Sequence, residues 1–167
     1  MEIRRLTPED AEKHWALRLE ALRENPEAFA SSYEEAAAKE EPIGEARERL
    51  AVEENYSFGA FEEGELIGTV VLVPETKPKL RHKANLFAMY VTPRKRGMGA
   101  GRALVEVLVA KARELEAVEQ IVLAVESGNE KAKWLYAAAG FQTYGKEPKA
   151  LKEGGQYFDE EYMVLFL

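Results

Sequence analysis

Three glycines on alternate positions follow a run of cations in this chain: Arg94-Lys95-Arg96-Gly97-Met98-Gly99-Ala100-Gly101-Arg102. Glycine has no Cβ and tolerates positive φ, so such a turn lets backbone N–H groups close around an anion. Apolar residues, Met89-Tyr90-Val91, lead into the turn. An amphipathic stripe of Leu104, Val105, Leu108, Val109 and Ala112 leaves it. Strand, glycine turn and helix start together aim amides and a positive helix end at a phosphate. The spacing is not that of a Walker A loop, which closes on Gly-Lys-Ser/Thr. Nor is it that of the dinucleotide fingerprint, whose last two glycines stand three apart.

Further chemistry lies downstream, in Asn129-Glu130-Lys131-Ala132-Lys133-Trp134-Leu135-Tyr136 and on to Gly140-Phe141. Asn129 suits a helix N-cap. Ala132, Leu135, Tyr136 and Ala139 share one helical face, which makes packing the plain role of Tyr136. A buried tyrosine hydroxyl also wants a partner, and in a cleft it is able to protonate a leaving group. Glu126 follows the apolar run 121–125; it is a candidate proton acceptor working through water, or a solvated strand end. The two histidines are far apart in sequence. His14 is expected on the surface of the first helix and His82 in a basic loop, so no metal site is expected.

The elements that must position these residues read clearly. A short strand (2–6) is followed by a helix from Thr7-Pro8 to about Asn25, with Trp15, Leu19 and Leu22 near one face. Residues 27–41 read as a broken helix or ordered loop, and Pro42 opens a second helix. Strands at 56–61 and 66–73 flank a Glu62-Glu63-Gly64-Glu65 hairpin turn. After a polar loop come a strand (85–91), the glycine turn, a helix (101–115), a buried strand (121–125) and a helix (131–139) stopped by Gly140. Two closing strands, 141–144 and 161–166, are separated by a Gly-, Lys- and Pro-rich loop. The order indicates an α/β chain with one mixed sheet flanked by helices.

The chain has 167 residues, 46% hydrophobic and 32% charged, and no cysteine. One soluble domain, 1–167, is expected. No apolar run is long enough for a membrane span, the N-terminus has no signal-peptide core, and a cytoplasmic setting is expected. Without cysteine there is no thiolate ligand and no cysteine nucleophile. The net charge of −7 hides an uneven distribution. Residues 76–102 carry eight cations and no acid, which leaves a net −15 elsewhere. A single basic patch on an acidic body suits a small polyanion and argues against nucleic acid, which wants a broad basic face.

Arg96-x-x-Gly99-x-Gly101 after a strand, followed by Asn129-x-x-Ala132-x-x-Leu135-Tyr136-x-x-x-Gly140-Phe141, resembles the GCN5-related N-acetyltransferase (GNAT) family. The resemblance covers both central motifs and the order of elements along the chain. It implies the GNAT-like acyl-CoA N-acyltransferase fold, acetyl-CoA as co-substrate and a primary amine as acceptor. Arg96, Gly97, Met98, Gly99, Ala100, Gly101 and Arg102 would hold the pyrophosphate. The edge of Met89, Tyr90 and Val91 would pair with the pantetheine arm, and Asn129 would bond its amides. Tyr136 would protonate the departing thiolate, and a backbone amide near Val91 would face the oxyanion. The amine would attack directly, in a ternary complex. Tyr33 and Glu34 fall in the region that often shapes the acceptor pocket. The resemblance also implies a glutamate base on the strand before the turn, where this chain has Asn85. The acidic body favours a small cationic amine or amino acid. Protein N-termini or lysines, a non-catalytic acyl-CoA-binding module, and a homodimer as the assembly state stay open.

Overall fold

The computed structural model describes all 167 residues. Seven strands form one sheet: β1 (Glu2–Arg5), β2 (Tyr56–Glu62), β3 (Glu65–Pro74), β4 (Lys83–Val91), β5 (Gln120–Glu126), β6 (Gln142–Glu153) and β7 (Gln156–Phe166). They lie in the order β1-β2-β3-β4-β5-β7-β6. Every pair is antiparallel except β4 with β5. A parallel pair needs a crossover, and α4 (Ala100–Glu114) makes it. The other helices are α1 (Ala11–Glu24), α2 (Tyr33–Ala37), α3 (Pro42–Ala51) and α5 (Glu130–Ala138).

Two cores cover the two faces of the sheet. Leu104, Val105, Leu108 and Ala112 of α4 pack with Ile121, Leu123 and Val125 of β5 and with Tyr136 of α5. Leu17 and Ala21 of α1 pack with Ala46 and Leu50 of α3, Phe61, Leu66 and Tyr90. Neighbours in sequence alternate between the two, Ala60 and Ile67 in the first, Phe61 and Leu66 in the second, as strand pleating requires. Leu108 is fully buried, and truncating such a side chain to alanine costs about 2–5 kcal/mol.

Three sequence expectations need correction. The buried face of α1 is Ala11, His14, Leu17, Ala21 and Leu22, while Trp15 and Leu19 sit half-buried on its flank. His14 is therefore a core residue at 7% exposure, and not a surface one. Burial, with Arg49 and Arg18 nearby, pushes its pKa down to about 4. Second, the residues between the two expected closing strands do not form a loop. They continue β6 and β7 as one long hairpin that turns at Gly154-Gly155. Gly145 and Pro148 disfavour a central strand, but β6 is an edge strand, where proline is tolerated. Register shifts between Thr143 and Gly145 and between Glu147 and Leu151 absorb them. Third, the basic window is two patches. The nine residues of β4, roughly 27 Å at 3.3 Å per residue, separate Lys77, Lys79 and Arg81 from Arg94, Lys95, Arg96 and Arg102. The stretch 27–41 resolves into a 3-10 turn at Pro26–Ala28 and the short α2.

Candidate active site

The sheet opens at its centre. β4 and β5 pair only at Lys83↔Gln120, Ala84↔Ile121 and Asn85↔Val122. Beyond that point β4 stays with β3 as far as Val91, and β5 stays with β7 as far as Glu126. Two facing strand edges are thus left without a ladder partner, over residues 86–91 and 123–126. A bulge sharpens the parting. Val70 of β3 stands opposite two β4 residues, Ala88 and Met89, between the pairs Val71↔Phe87 and Thr69↔Tyr90, and Ala88 takes φ 51°. The 3-10 turn Pro26–Ala28 reaches across and touches both β5 and β6.

The glycine turn closes the β4 end of this opening. Gly97 and Gly99 hold φ 79° and 85°, and nothing lies within 4 Å of where a Cβ would stand. Gly99 is the residue before α4. The six consecutive amides 97–102 donate to no protein acceptor; those of 100–102 belong to the first turn of α4, which has no internal partner for its N–H groups. That is the donor set an anion such as a pyrophosphate needs. Gly101 serves differently. Its backbone is helical, and a Cβ there would meet Met89 Cε at 3.3 Å and Leu135 Cδ2 at 3.4 Å. It lets α4 pass close to β4 and α5. Arg96 is less free than the sequence suggested. Its Nε donates to Val91 O at 2.9 Å and its Nη2 to Asn25 Oδ1 at 3.1 Å. The guanidinium braces the turn against the end of α1, while Met98 is exposed. Lys95 is ion-paired with Glu62 and Arg102 with Glu106. Tyr90 faces away from the opening's α4 side; its hydroxyl donates to Glu20 at 3.0 Å.

The β5–α5 turn closes the other side. Asn129 caps α5, its Oδ1 accepting from Ala132 N at 3.1 Å. Glu126 Oε1 accepts from Gly128 N at 2.8 Å, so this carboxylate also holds the turn. Cross-strand pairing puts Glu126, Glu160 and Glu147 in one row. Burial, and then Glu147, pushes the Glu160 carboxyl up. Tyr136 is 5% exposed, and burial alone pushes its hydroxyl up. Its ring packs edge-on to Phe141 at 5.9 Å. Tyr33 and Glu34 lie with Leu22, Pro26 and Glu153 around a hollow of about 150 Å³. A larger groove of about 360 Å³ lies where β4 and β5 are still paired, lined by Lys83, Val122, Gln142, Tyr144, Val164 and Phe166.

Two polar groups escaped the sequence reading. Ser127 Oγ is buried with no hydrogen-bond partner; its place between Glu126 and Asn129 was the available signal. Glu75 accepts a hydrogen bond from Asn85 Nδ2 at 2.9 Å, and no sequence pattern marks that pair. No group of three metal-ligating side chains occurs, and no helix is long and apolar enough to cross a membrane.

Residues 14–141 match the model of the acetyltransferase (GNAT) family. This chain belongs to the GNAT family. The seven-stranded mixed sheet is that family's fold. Over 80 residues it is 32% identical to the L-methionine sulfoximine/L-methionine sulfone acetyltransferase of Pseudomonas aeruginosa. That match covers 48% of this chain and 46% of the relative, so the chain spans about half the length of the curated relatives it matches. A ribosomal-protein-alanine N-acetyltransferase from Brucella melitensis is 26% identical over all of both chains, with a TM-score of 0.80. A phosphinothricin acetyltransferase from Sinorhizobium meliloti, solved with acetyl-CoA, shares the fold at a TM-score of 0.80 and 20% identity, over 99% of this chain and 88% of that one. The unpartnered amides 97–102 are a donor set that fits the pyrophosphate of this co-substrate.

Proposed function

We propose that this chain transfers the acetyl group of acetyl-CoA to the primary amine of a small acceptor of the amino-acid type. The observation that carries the reading is the union of six free amides at 97–102 with the parted edges of β4 and β5. The glycine turn holds the pyrophosphate. The edge of Met89, Tyr90 and Val91 takes the pantetheine arm as an added strand, and the carboxamide nitrogen of Asn129 faces it from the opposite side. Acetyl-CoA supplies an acyl group activated as a thioester. The acceptor nitrogen attacks the carbonyl carbon, so a C–N bond forms while the C–S bond breaks. A backbone amide near Val91 faces the developing oxyanion. Tyr136, protonated at neutral pH, donates to the departing sulfur. No residue of the chain becomes acylated.

Lys83 lines the larger groove as its one charged residue and makes no ion pair. It suits the carboxylate of an amino acid whose ammonium points toward the opening. The names of the Pseudomonas and Sinorhizobium proteins agree with an acceptor of that class. The Brucella likeness favours a second reading, a peptide N-terminus. Thiol release from acetyl-CoA decides between them, measured with L-methionine sulfoximine, phosphinothricin, spermidine and a peptide beginning with alanine. Release with the two amino acids supports the proposal. Release with the peptide alone supports the second reading. Coenzyme A binding without release on any amine makes the chain an acyl-CoA-binding module.

A further inference from the structure

We propose that Glu75 is the carboxylate that takes the proton from the acceptor ammonium; this rests on the acetyltransferase reading above. The amine must become a free base before it attacks, and an alkylamine or α-amine is largely protonated at neutral pH. β4 itself offers only Asn85 near the opening, and a carboxamide does not accept a proton at neutral pH.

Position selects Glu75. Asn85↔Val122 is the last pair before β4 and β5 part. Ala84 and Leu86 are buried in the α4 core, so Asn85 faces the opposite side of the sheet, where Phe87 is exposed. Glu75 follows the end of β3, and its N donates to Lys83 O at 2.9 Å. Its Oε1 accepts from Asn85 Nδ2 at 2.9 Å. The carboxylate thus hangs over β4 at the closed end of the opening, one oxygen oriented by Asn85 and the other without a protein partner. A pantetheine arm laid along β4 from the glycine turn points its sulfur back toward this end.

The rival carboxylates are placed or occupied otherwise. Glu126 stands four residues farther along β5, roughly 13 Å, with Oε1 on the Gly128 amide. Glu20 takes the Tyr90 hydroxyl and Glu147 the Tyr162 hydroxyl. In the proposed step the ammonium gives one proton to Glu75, which passes it to solvent. The freed nitrogen forms the C–N bond as the C–S bond breaks; Tyr136 gives its proton to the thiolate sulfur and takes the second N–H proton in return. Asn85 is a positioning residue that aims the carboxylate.

The charged and titratable neighbours are Lys77, Lys79, Arg81 and His82 on the same loop and Lys83 on β4. The test compares wild type, Glu75→Gln and Glu75→Asp, with His82→Asn as the control for the one neighbour whose charge ordinarily changes near neutrality. Coenzyme A affinity is measured alongside kcat and KM with the acceptor that the amine panel identifies. Glu75→Gln keeps an oxygen for the Asn85 bond, so the fold and coenzyme A affinity are expected to hold. Turnover is expected to fall about 10²–10³-fold at neutral pH. The loss shrinks as pH rises toward the amine pKa, and Glu75→Asp retains part of the rate. A Glu75→Gln rate within about threefold of wild type, or a loss equal at every pH, overturns the proposal while leaving the enzyme reading intact. No thiol release by wild type on any amine overturns both.

Discussion

Gly99 and Gly101 belong to one motif, yet alanine at the two sites is expected to change stability in opposite directions. Gly99 stands before α4 at φ 85°, with open space where a Cβ would project. Alanine there meets no clash and pays only for the left-handed backbone, about 1–2 kcal/mol. In a domain of this size each kcal/mol shifts Tm by roughly 2–4 °C, so Gly99→Ala is expected to lower Tm by roughly 2–8 °C. Gly101 has ordinary helical backbone inside α4. Alanine gains up to about 1 kcal/mol there in helix propensity. Against that gain, Met89 Cε at 3.3 Å and Leu135 Cδ2 at 3.4 Å must give way by a few tenths of an ångström. Both are ends of flexible side chains. Gly101→Ala is therefore expected to fall between neutral and about 1 kcal/mol more stable. Denaturant unfolding with unchanged m-values measures both. A Gly99→Ala midpoint at or above wild type would refute the left-handed requirement. A Gly101→Ala loss beyond about 1 kcal/mol would show that Met89 and Leu135 cannot move, and the packing argument would fail. Gly99→Ala also places a methyl in the amide cradle, so its coenzyme A affinity should drop.

His14 has an acid-stability signature. Its folded pKa, pushed down by burial, is about 4 against an ordinary 6.5, so the unfolded chain binds the proton first. Stability is full above about pH 6.5 and falls as pH drops toward 4, by about 3 kcal/mol in all. His14→Leu should flatten that window in pH-dependent urea unfolding, and an unchanged slope would put His14 back at the surface. Asp10 accepts two hydrogen bonds from Arg4, at 2.7 and 2.8 Å, and the first cause of its lowered pKa, about 2, is that contact. Its contribution is present above about pH 4 and is lost as pH falls through about 2, so Asp10→Asn should cost about 2 kcal/mol at neutral pH and much less near pH 2. Tyr136→Phe removes a buried hydroxyl and should leave stability near wild type. Turnover should fall about 10²–10⁴-fold with coenzyme A affinity spared, and an unchanged rate would reduce Tyr136 to packing.

Local chemistry was legible along the chain. The glycine turn, the Asn129 cap, the Glu63-Gly64 hairpin and the α4 stripe each depend on residues within one or two turns of one another, so their spacing carries the information. The two motifs suffice for the family and the fold. What failed was non-local. Edge-strand pairing with β7 overrode the breakers Gly145 and Pro148. Packing of α1 on α3 buried His14 in place of Trp15. The length of β4 divided one basic window into two patches. Tertiary structure alone decided that Arg96 spends its guanidinium on Val91 and Asn25, and that Glu75, ten residues away in sequence, stands at Asn85. Those outcomes follow from which strand edges meet and where they part, and a periodicity of two or 3.6 residues records neither.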